Sequence, residues 1–430
     1  METTVSPPPT AAAEPMRPVD ALWYWLATKF ATDQFLVYAF AGTPESIERA
    51  VEDVLDRARE CVDFGLRVRP RALNLHFPDW ISGTPIGAHN VAVRPAAGLG
   101  WQQVLDQLSA LMRRQLDPRR QTWRLHVFAD VRDVPSHAGA ATVVVLQMTH
   151  ALGDGTRTAA LAGLLFGRST PPVPVEPAEP DRRLRDIAAA HRARRRLARG
   201  TESGAIPAAK PPVPALSTNR RPEGPSVLRT IACHRDQLPG PTVLVGALVA
   251  VSDALAAHLR EQGEDVSALT AEVAIARSGK PRARNHFSVH AVGLYPDVAT
   301  PAERSARIVE DLIAIRRRDQ QLPADMHVAF DGVPAPLRRA GVWRLNPDAD
   351  WSSVRGHTVV SSVERGPADL SFGGCPVVLT ASYPSLMPMM GLTHGVHRIG
   401  DTVAFSVHTT SSVLADVDGY LDRLVFALRR

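Results

Sequence analysis

A histidine and an aspartate near the middle of the chain form the part of the sequence best suited to chemistry. Residues 143–155 read VVVLQMTHALGDG, with His150 four positions before Asp154. The apolar, β-branched run predicts a buried strand, and the TRTAALAGLLFG that follows Gly155 has helical spacing. His150 is therefore expected on a loop at a strand end, where the sheet holds its ring beside a cavity. Because histidine titrates near neutral pH, such a ring is suited to act as a general base.

The His-x-x-x-Asp spacing is a weak signal when taken alone. The chain has 15 histidines and 44 acidic residues, so some pairs at this spacing arise by chance. A histidine at a strand end is also commonly a hydrogen-bonded part of the scaffold. The preceding strand, the glycines on either side of Asp154 and the following helix favour the catalytic interpretation, since glycine lets the backbone turn tightly.

Composition limits the class of protein. The 430 residues are 45% hydrophobic, which is enough for packed cores, and this length predicts two domains. The net charge is +5, carried almost entirely by arginines that are interspersed with acidic residues. We therefore expect no nucleic-acid binding. Three widely separated cysteines fit a reducing compartment and argue against a disulfide framework or a zinc cluster.

We expect a cytoplasmic protein, at most peripheral to a membrane, that is a monomer or a weak dimer. The proline-rich N-terminus has no charged region followed by an apolar core, so it is not a signal peptide. The most apolar segment, residues 243–259, contains Ser252, Asp253 and His258. It is predicted to be a buried helix rather than a membrane span.

Strand and helix patterns alternate in both parts of the chain, which predicts an α/β fold. Helical periodicity is clearest at residues 44–61, 99–116, 243–259, 302–318 and 417–428, and strand patterns occur at 123–127, 143–146, 226–233, 269–276, 286–294, 356–363, 375–381 and 403–409. We predict a flexible tail at 1–18, a first half at 19–170, a Pro/Arg-rich crossover at 171–225 and a second half at 226–430.

The crossover contains a basic helical stretch between two proline-rich segments. Its arginines at the end of that stretch are Arg192, Arg194, Arg195, Arg196 and Arg199. One interpretation is a solvated helix face. The other is an electrostatic contact with an anionic membrane or lipid inclusion, to which each basic residue contributes about 1 kcal/mol.

Seven segments give the chain a resemblance to the bacterial wax ester synthase/diacylglycerol acyltransferase family. That family lies within the His-x-x-x-Asp-Gly acyltransferase superfamily, with chloramphenicol acetyltransferase and the condensation domains of peptide synthetases. The resemblance extends from about residue 18 to the end of the chain. The segments are 18–21 (PVDA), 89–91 (HNV), 116–126 (LDP through WRLH), 150–155 (HALGDG), 274–277 (AIAR), 284–285 (RN) and 359–367 (VVSSV through GP).

The resemblance implies two α/β halves, each a mixed sheet with helices, with the active-site channel between them. It implies transfer of a fatty acyl group from acyl-CoA to a lipid alcohol, either diacylglycerol or a long-chain alcohol, without a bound cofactor. In this scheme His150 is the general base, and Asp154 turns inward to pair with an arginine, for which Arg277 is the candidate. Gly155, Ser361 and Ser362 are candidates for oxyanion stabilisation, and Asn285 has a supporting role.

Several departures from the family pattern leave alternatives open. Thr149 stands where the family has a first histidine, Leu244 and Val245 replace Asn-Asp, and Ser362 replaces Asn. One alternative is an acyltransferase of secondary metabolism or a condensation-type enzyme. Another is a non-catalytic lipid-binding paralogue.

Other residue clusters are weaker candidates for function. His286 and His290, and His394 and His397, lack acidic or cysteine ligands at matching spacing, so polar lining is favoured over a metal site. The methionines at 387–390 suit a flexible acyl chain, but ordinary core packing is the favoured interpretation.

Overall fold

The computed structural model describes residues 13–72, 75–176, 183–322, 332–349 and 351–429. Helices in these ranges are α1 (Pro18–Leu26), α2 (Ile47–Arg59), α3 (Trp101–Met112), α4 (Gly155–Leu165), α5 (Arg183–Glu202), α6 (Val243–Glu261), α7 (Pro301–Gln321), α8 (Ala335–Arg344) and α9 (Val417–Leu428). Strands are β1 (Ala13–Pro15), β2 (Gln34–Ala41), β3 (Arg67–Arg69), β4 (Asp79–Ile81), β5 (Val91–Arg94), β6 (Trp123–Val131), β7 (Ala141–Met148), β8 (Val213–Pro214), β9 (Ser226–His234), β10 (Thr270–Ala276), β11 (Phe287–Gly293), β12 (Ser353–Val354), β13 (Thr358–Glu364), β14 (Ser371–Phe372), β15 (Cys375–Ser382), β16 (Thr393–Ile399) and β17 (Thr402–Thr410).

The first large sheet has the strand order β14-β15-β2-β7-β6-β5 and positions the His150 segment. All eight residues of its strand β7 are buried, because both faces of the sheet are covered. Helices α2 and α4 pack on one face. Helix α3 and residues of the second half, including Leu228 and Ala404, pack on the other. The apolar sequence of β7, with no polar alternation, follows from this two-sided burial.

The second large sheet has the order β11-β10-β13-β16-β17-β9. One face carries Val360 and Val396 and is covered by α6 and α9. Side chains of a strand alternate between faces, so Ser361 and Val363 point the other way, towards the first half. Parallel pairs β10-β13 and β13-β16 lie within an otherwise antiparallel sheet. Both halves are therefore mixed sheets with helices, and the predicted α/β class is confirmed.

The predicted division of the chain needs two corrections. Strands β14 and β15 come from the segment assigned to the second half, but β15 pairs with β2 of the first sheet. The part of the chain after the crossover therefore supplies strands to both sheets. Strand β15 occupies the edge of β2 opposite β7. Of the predicted tail, residues 1–12 lie outside the described residues. Residues 13–18 are ordered, since β1 pairs with β4 and Met16 is buried.

The predicted helices and strands of the second half are present, with some additions. The apolar segment forms α6, which is long and apolar enough to cross a membrane but has 72% of its most apolar window buried inside the protein. Strand β16 and helix α8 were not predicted. The sequence of β16, THGVHRI, shows little apolar character, although six of its seven residues are buried in the fold.

Candidate active site

Local sequence explains how His150 reaches its position. Strand β7 ends at Met148, residues His150–Leu152 form one 3-10 turn, and Asp154 caps the start of α4. The Oδ1 atom of Asp154 accepts a hydrogen bond from the Arg157 N–H at 2.9 Å. This N-cap ends the loop and begins the helix.

Gly155 is required by close packing rather than by a turn. A Cβ atom at this position would lie 2.8 Å from Cγ2 of Val363, on β13 of the second sheet. Such a distance is shorter than any ordinary contact, so α4 and β13 would have to separate. The two halves of the protein therefore meet at the start of α4, five residues from His150.

Asn285 fixes the proton on the His150 ring. The amide nitrogen of Asn285 donates to Asp20 Oδ1 and to the His150 carbonyl oxygen, both at 2.9 Å. Because both partners are acceptors, the amide oxygen must point the other way, where it lies 3.0 Å from His150 Nδ1. An oxygen accepts, so Nδ1 carries the hydrogen and Nε2 keeps its lone pair.

Asp20 holds Asn285 in this orientation. Its carboxylate is buried and accepts hydrogen bonds from the backbone N–H groups of Arg284 (3.1 Å) and Asn285 (2.9 Å), as well as from the Asn285 side chain. Burial raises the pKa of Asp20 from 3.8 to about 6, although these hydrogen bonds act in the opposite direction. At pH 7 a negative charge therefore lies behind the Asn285 amide.

Aromatic rings fix the plane of the imidazole. Trp23 of α1 stacks on His150 with ring centroids 3.7 Å apart and an interplanar angle of 6°. Phe287 of β11 lies 6.1 Å from the same ring. Burial lowers the pKa of His150 from 6.5 to about 4, so the ring is neutral at pH 7. The arrangement presents a neutral, immobilised imidazole with a free Nε2 lone pair.

The predicted ion pair between Asp154 and Arg277 is wrong. The Oδ2 atom of Asp154 accepts from the His286 N–H at 2.7 Å, while Oδ1 caps α4. Both oxygens are thus bonded to backbone donors, and Arg277 Nε donates to the Phe287 carbonyl at 3.0 Å. Asp154 still turns inward as expected, but it joins the loop to the start of β11 rather than to a guanidinium.

A buried ionic group next to the loop was not predicted. The Asp63 carboxylate forms ion pairs with the guanidinium groups of Arg157 at 2.5 Å and Arg284 at 2.6 Å. All three side chains are nearly buried. Arg157 follows the His150 loop, and Arg284 precedes Asn285. The group therefore joins the two segments that form the site. No local sequence pattern reveals it, since its members are far apart in the chain.

The two candidate serines lie on opposite faces of β13. Ser361 shares the face of Val363, which contacts Gly155, so it points towards the first half. Ser362 shares the face of Val360, which belongs to the core under α6. The structure therefore keeps Ser361 as a candidate near the site and removes Ser362.

Two of the other candidate histidines, His290 and His394, have structural partners. His290 bonds to Ser288 at 2.8 Å and lies 3.3 Å from Asp319. His394 bonds to Thr358 and Tyr420, each at 2.8 Å. Within the described ranges, no group of three His, Cys, Asp or Glu side chains is placed to hold a metal ion.

Comparisons with known proteins find similarity in structure only. Neither a protein-family model nor a curated protein matches the sequence. The wax ester synthase/diacylglycerol acyltransferase from Marinobacter aquaeolei VT8 superposes with a TM-score of 0.62 at 17% identity, over 96% of this chain and 98% of that one. A trichothecene 15-O-acetyltransferase from Fusarium sporotrichioides gives 0.60 at 11% identity, over 100% and 97%.

A third similar structure is the starter condensation domain of rhizomide synthetase in complex with C8-CoA and Leu-SNAC. Its TM-score is 0.58 at 14% identity, with 97% of this chain and 93% of that chain covered. At these identities the likeness is one of fold. The two-half acyltransferase-like fold predicted from the sequence resemblance is confirmed.

Proposed function

We propose that the protein transfers an acyl group from an acyl-CoA thioester to the hydroxyl group of an alcohol, with His150 as the general base. The observation that carries the proposal is the contact between His150 Nδ1 and Asn285 Oδ1, which leaves Nε2 free. A general base must present a lone pair in the protonation state that prevails at working pH. The low pKa of His150 meets this condition throughout the neutral range.

The reaction needs one proton acceptor and no covalent intermediate. Nε2 takes the alcohol proton as the alcohol oxygen bonds to the thioester carbonyl carbon. The tetrahedral intermediate then collapses, the C–S bond breaks, and the same proton passes to the CoA sulfur. The products are an ester and free CoA thiol. The charge that forms on the ring is stabilised by the Asn285 oxygen and, behind it, the Asp20 carboxylate.

Donors for the oxyanion come from the meeting point of the two halves. The Gly155 N–H stands at the start of α4, where the helix dipole favours negative charge. The Ser361 hydroxyl is on the facing strand. We assign these two groups to the oxyanion, and Asp154 to holding the loop that carries His150.

We further propose a fatty acyl-CoA as donor and a lipid alcohol, diacylglycerol or a long-chain alcohol, as acceptor. The sequence resemblance and the fold likeness to the wax ester synthase/diacylglycerol acyltransferase support this choice. The likeness to the trichothecene acetyltransferase favours one second candidate, an O-acyltransferase of secondary metabolism. A non-catalytic lipid-binding role is disfavoured, because it needs no fixed imidazole. Here hydrogen bonds from Asp20 through Asn285 hold the His150 ring in place.

A thiol-release assay tests the proposal. Purified protein is given acetyl-, octanoyl- and palmitoyl-CoA, each with diacylglycerol, hexadecanol, a small polar alcohol or an amine. We expect release with octanoyl- or palmitoyl-CoA and a lipid alcohol, and a loss of about 10²–10⁴-fold in His150→Ala. The matched control is His137→Ala, because His137 lies in a remote turn. Unchanged turnover in folded His150→Ala would refute the mechanism, and acetyl transfer to the polar alcohol alone would favour the second candidate.

We also propose peripheral attachment to a lipid surface inside the cell. In α5 the side chains of Arg192, Arg194, Arg195, Arg196 and Arg199 are exposed, which supports this proposal. Binding to anionic liposomes is expected at low salt and should be lost towards 1 M salt, where the screening length falls to about 3 Å. Changing these arginines to Gln should abolish it. Equal binding to neutral liposomes would reduce the cluster to a solvated helix face.

A further inference from the structure

Arg365 is a buried cation without an anionic partner among the described residues. It lies directly after β13, only 3% of it is exposed, and its Nε and Nη1 atoms make no hydrogen bond. Burial lowers the pKa of its guanidinium below 12.5, but an arginine side chain stays protonated in proteins. Burying such a charge is strongly unfavourable unless an anion pairs with it.

Two other buried groups beside Arg365 are not fully hydrogen-bonded. They are the hydroxyl of Tyr38, on β2 of the first sheet, and Nδ1 of His397, on β16 of the second. The Tyr38 oxygen lies close enough to the guanidinium to accept a hydrogen bond from it, and the Tyr38 O–H is left without an acceptor. Burial, and then the charge of Arg365, lower the pKa of His397, so its imidazole is neutral. A neutral imidazole and a phenol each supply a hydrogen-bond donor next to the guanidinium.

The group lies where the two halves meet. In the register of β13 and β16, His397 is opposite Val363, and Val363 packs against Gly155. The ring of His397 lies over Gly395, where a Cβ would be 2.9 Å from its Cε1 atom and 2.1 Å from the Ser382 carbonyl oxygen of β15. Side chains from both sheets thus enclose the guanidinium on the face of the second sheet that meets the first half.

We infer that Arg365, Tyr38 and His397 form a binding site for a compact monovalent anion, either a carboxylate or a halide. The guanidinium supplies two N–H groups and one positive charge, which matches a singly charged ligand. A doubly charged phosphate or sulfate would leave one charge buried and uncompensated. The site does not depend on acyl transfer, and none of its three residues is hydrogen-bonded to His150, Asn285 or Asp154 in the described structure.

Thermal unfolding of the full-length protein tests the site. The protein is dialysed into sodium HEPES, and sodium chloride, acetate or hexanoate is titrated at constant ionic strength. A ligand that binds only the folded state raises Tm in a saturable way, here by about 2–5 °C at a hundred times Kd. Arg365→Met should abolish this rise. In HEPES alone, whose bulky sulfonate is not the compact anion proposed, its Tm should equal or exceed that of the wild type, because the uncompensated charge is gone.

Two further variants make the result specific. Arg398→Met removes a partly exposed arginine of β16 that pairs with Glu364 and Asp401, and it should keep the full anion response. Tyr38→Phe removes only the hydroxyl and should raise the half-saturating concentration at least about threefold, the loss expected for one hydrogen bond. If Arg365→Met does not fold, Tyr38→Phe decides the question.

The three salts distinguish the sources of the anion. Chloride and acetate acting at similar concentrations would support a resident inorganic ion. Hexanoate acting at a lower concentration than acetate would support the carboxylate of an organic ligand. No saturable rise in the wild type, an equal rise in Arg365→Met or an unchanged response in Tyr38→Phe would overturn the inference. If the wild-type protein shows the saturable rise in Tm but no acyl transfer in the thiol-release assay, only the proposed activity is refuted.

Discussion

Replacing Asn285 with alanine tests whether this residue controls the histidine through its side chain. The change removes the acceptor for His150 Nδ1 and both donor contacts of the amide nitrogen. The ring then becomes free to exchange its proton between Nδ1 and Nε2 and to rotate. Substrate is not expected to touch Asn285, because its polar atoms are all used within the protein.

The size of the effect follows from the lost contacts. Two of the three hydrogen bonds join neutral groups and are worth about 0.5–1.5 kcal/mol each, and the bond to the Asp20 carboxylate is worth about 1.5–3 kcal/mol. We therefore expect a loss of about 3–5 kcal/mol in the free energy of unfolding. For activity, losing the fixed base form should lower kcat by about 10²-fold, the lower part of the range for a general base. KM for acyl-CoA should change little.

Three measurements separate this role from a general loss of stability. Urea unfolding gives the stability, thiol release gives kcat and KM, and ¹⁵N spectra of labelled histidine report which ring nitrogen carries the proton. The matched control is Asn219→Ala. Asn219 is also buried and its amide donates to the Gly356 and Met389 carbonyls, away from the site. It should lose stability while keeping kcat and the His150 spectrum.

Three results would each contradict the proposed role of Asn285. If folded Asn285→Ala keeps wild-type kcat, or if His150 in the wild type carries its proton on Nε2, Asn285 does not position the base. An equal loss of kcat in Asn219→Ala would show that kcat follows stability alone.

Three further predictions concern packing, the loop and pH. Gly155→Ala should cost about 1–3 kcal/mol and reduce activity because its Cβ meets Val363, and Gly155→Ala/Val363→Ala should recover most of both; no recovery would contradict the packing argument. Asp154→Ala should lower the unfolding free energy by about 2–4 kcal/mol, since it removes a helix cap and a second backbone contact; a variant as stable as the wild type but inactive would place Asp154 on substrate. Burial depresses the pKa of His394 to about 3 and that of His408 to about 4 in the folded protein. As pH falls below 6.5, these two rings therefore become protonated in the unfolded chain while they stay neutral in the folded one, which favours unfolding. Urea unfolding should show stability decreasing from pH 6.5 to 4, by up to about 3 kcal/mol per ring, with two buried carboxyl groups of raised pKa offsetting part of the loss. Constant stability over this range would contradict the depressed values.

Local patterns were sufficient to predict the elements that carry the candidate base. The apolar run of β7, the glycines on either side of Asp154 and the helical spacing of α4 are neighbours in sequence, so strand, loop and helix could be predicted together. The same holds for α6 and α9, whose apolar residues recur at helical intervals. Strand β16 was missed because only Val396 and Ile399 of its seven residues are large and apolar, and its burial comes from distant segments packed on the sheet.

Contacts between distant segments could not be read from local patterns. The resemblance indicated a supporting role for Asn285, but not that its amide orients the His150 ring 135 positions away, with Asp20 behind it. The Arg277 pairing failed for the same reason, since the backbone N–H of His286, just before β11, and that of Arg157 occupy the two oxygens of Asp154. Trp23 and Asp63 gave no local signal either.

The sequence by itself determined the α/β class and the loop that holds His150, because each depends on residues within about one strand or helix. Only the tertiary structure decided which ring nitrogen of the histidine holds the proton, which serine faces the site, where β15 pairs and that Arg365 is buried with no anionic partner among the described residues. These properties depend on how two sheets meet. Burial and hydrogen bonding across that junction are set by residues that may lie anywhere in the chain.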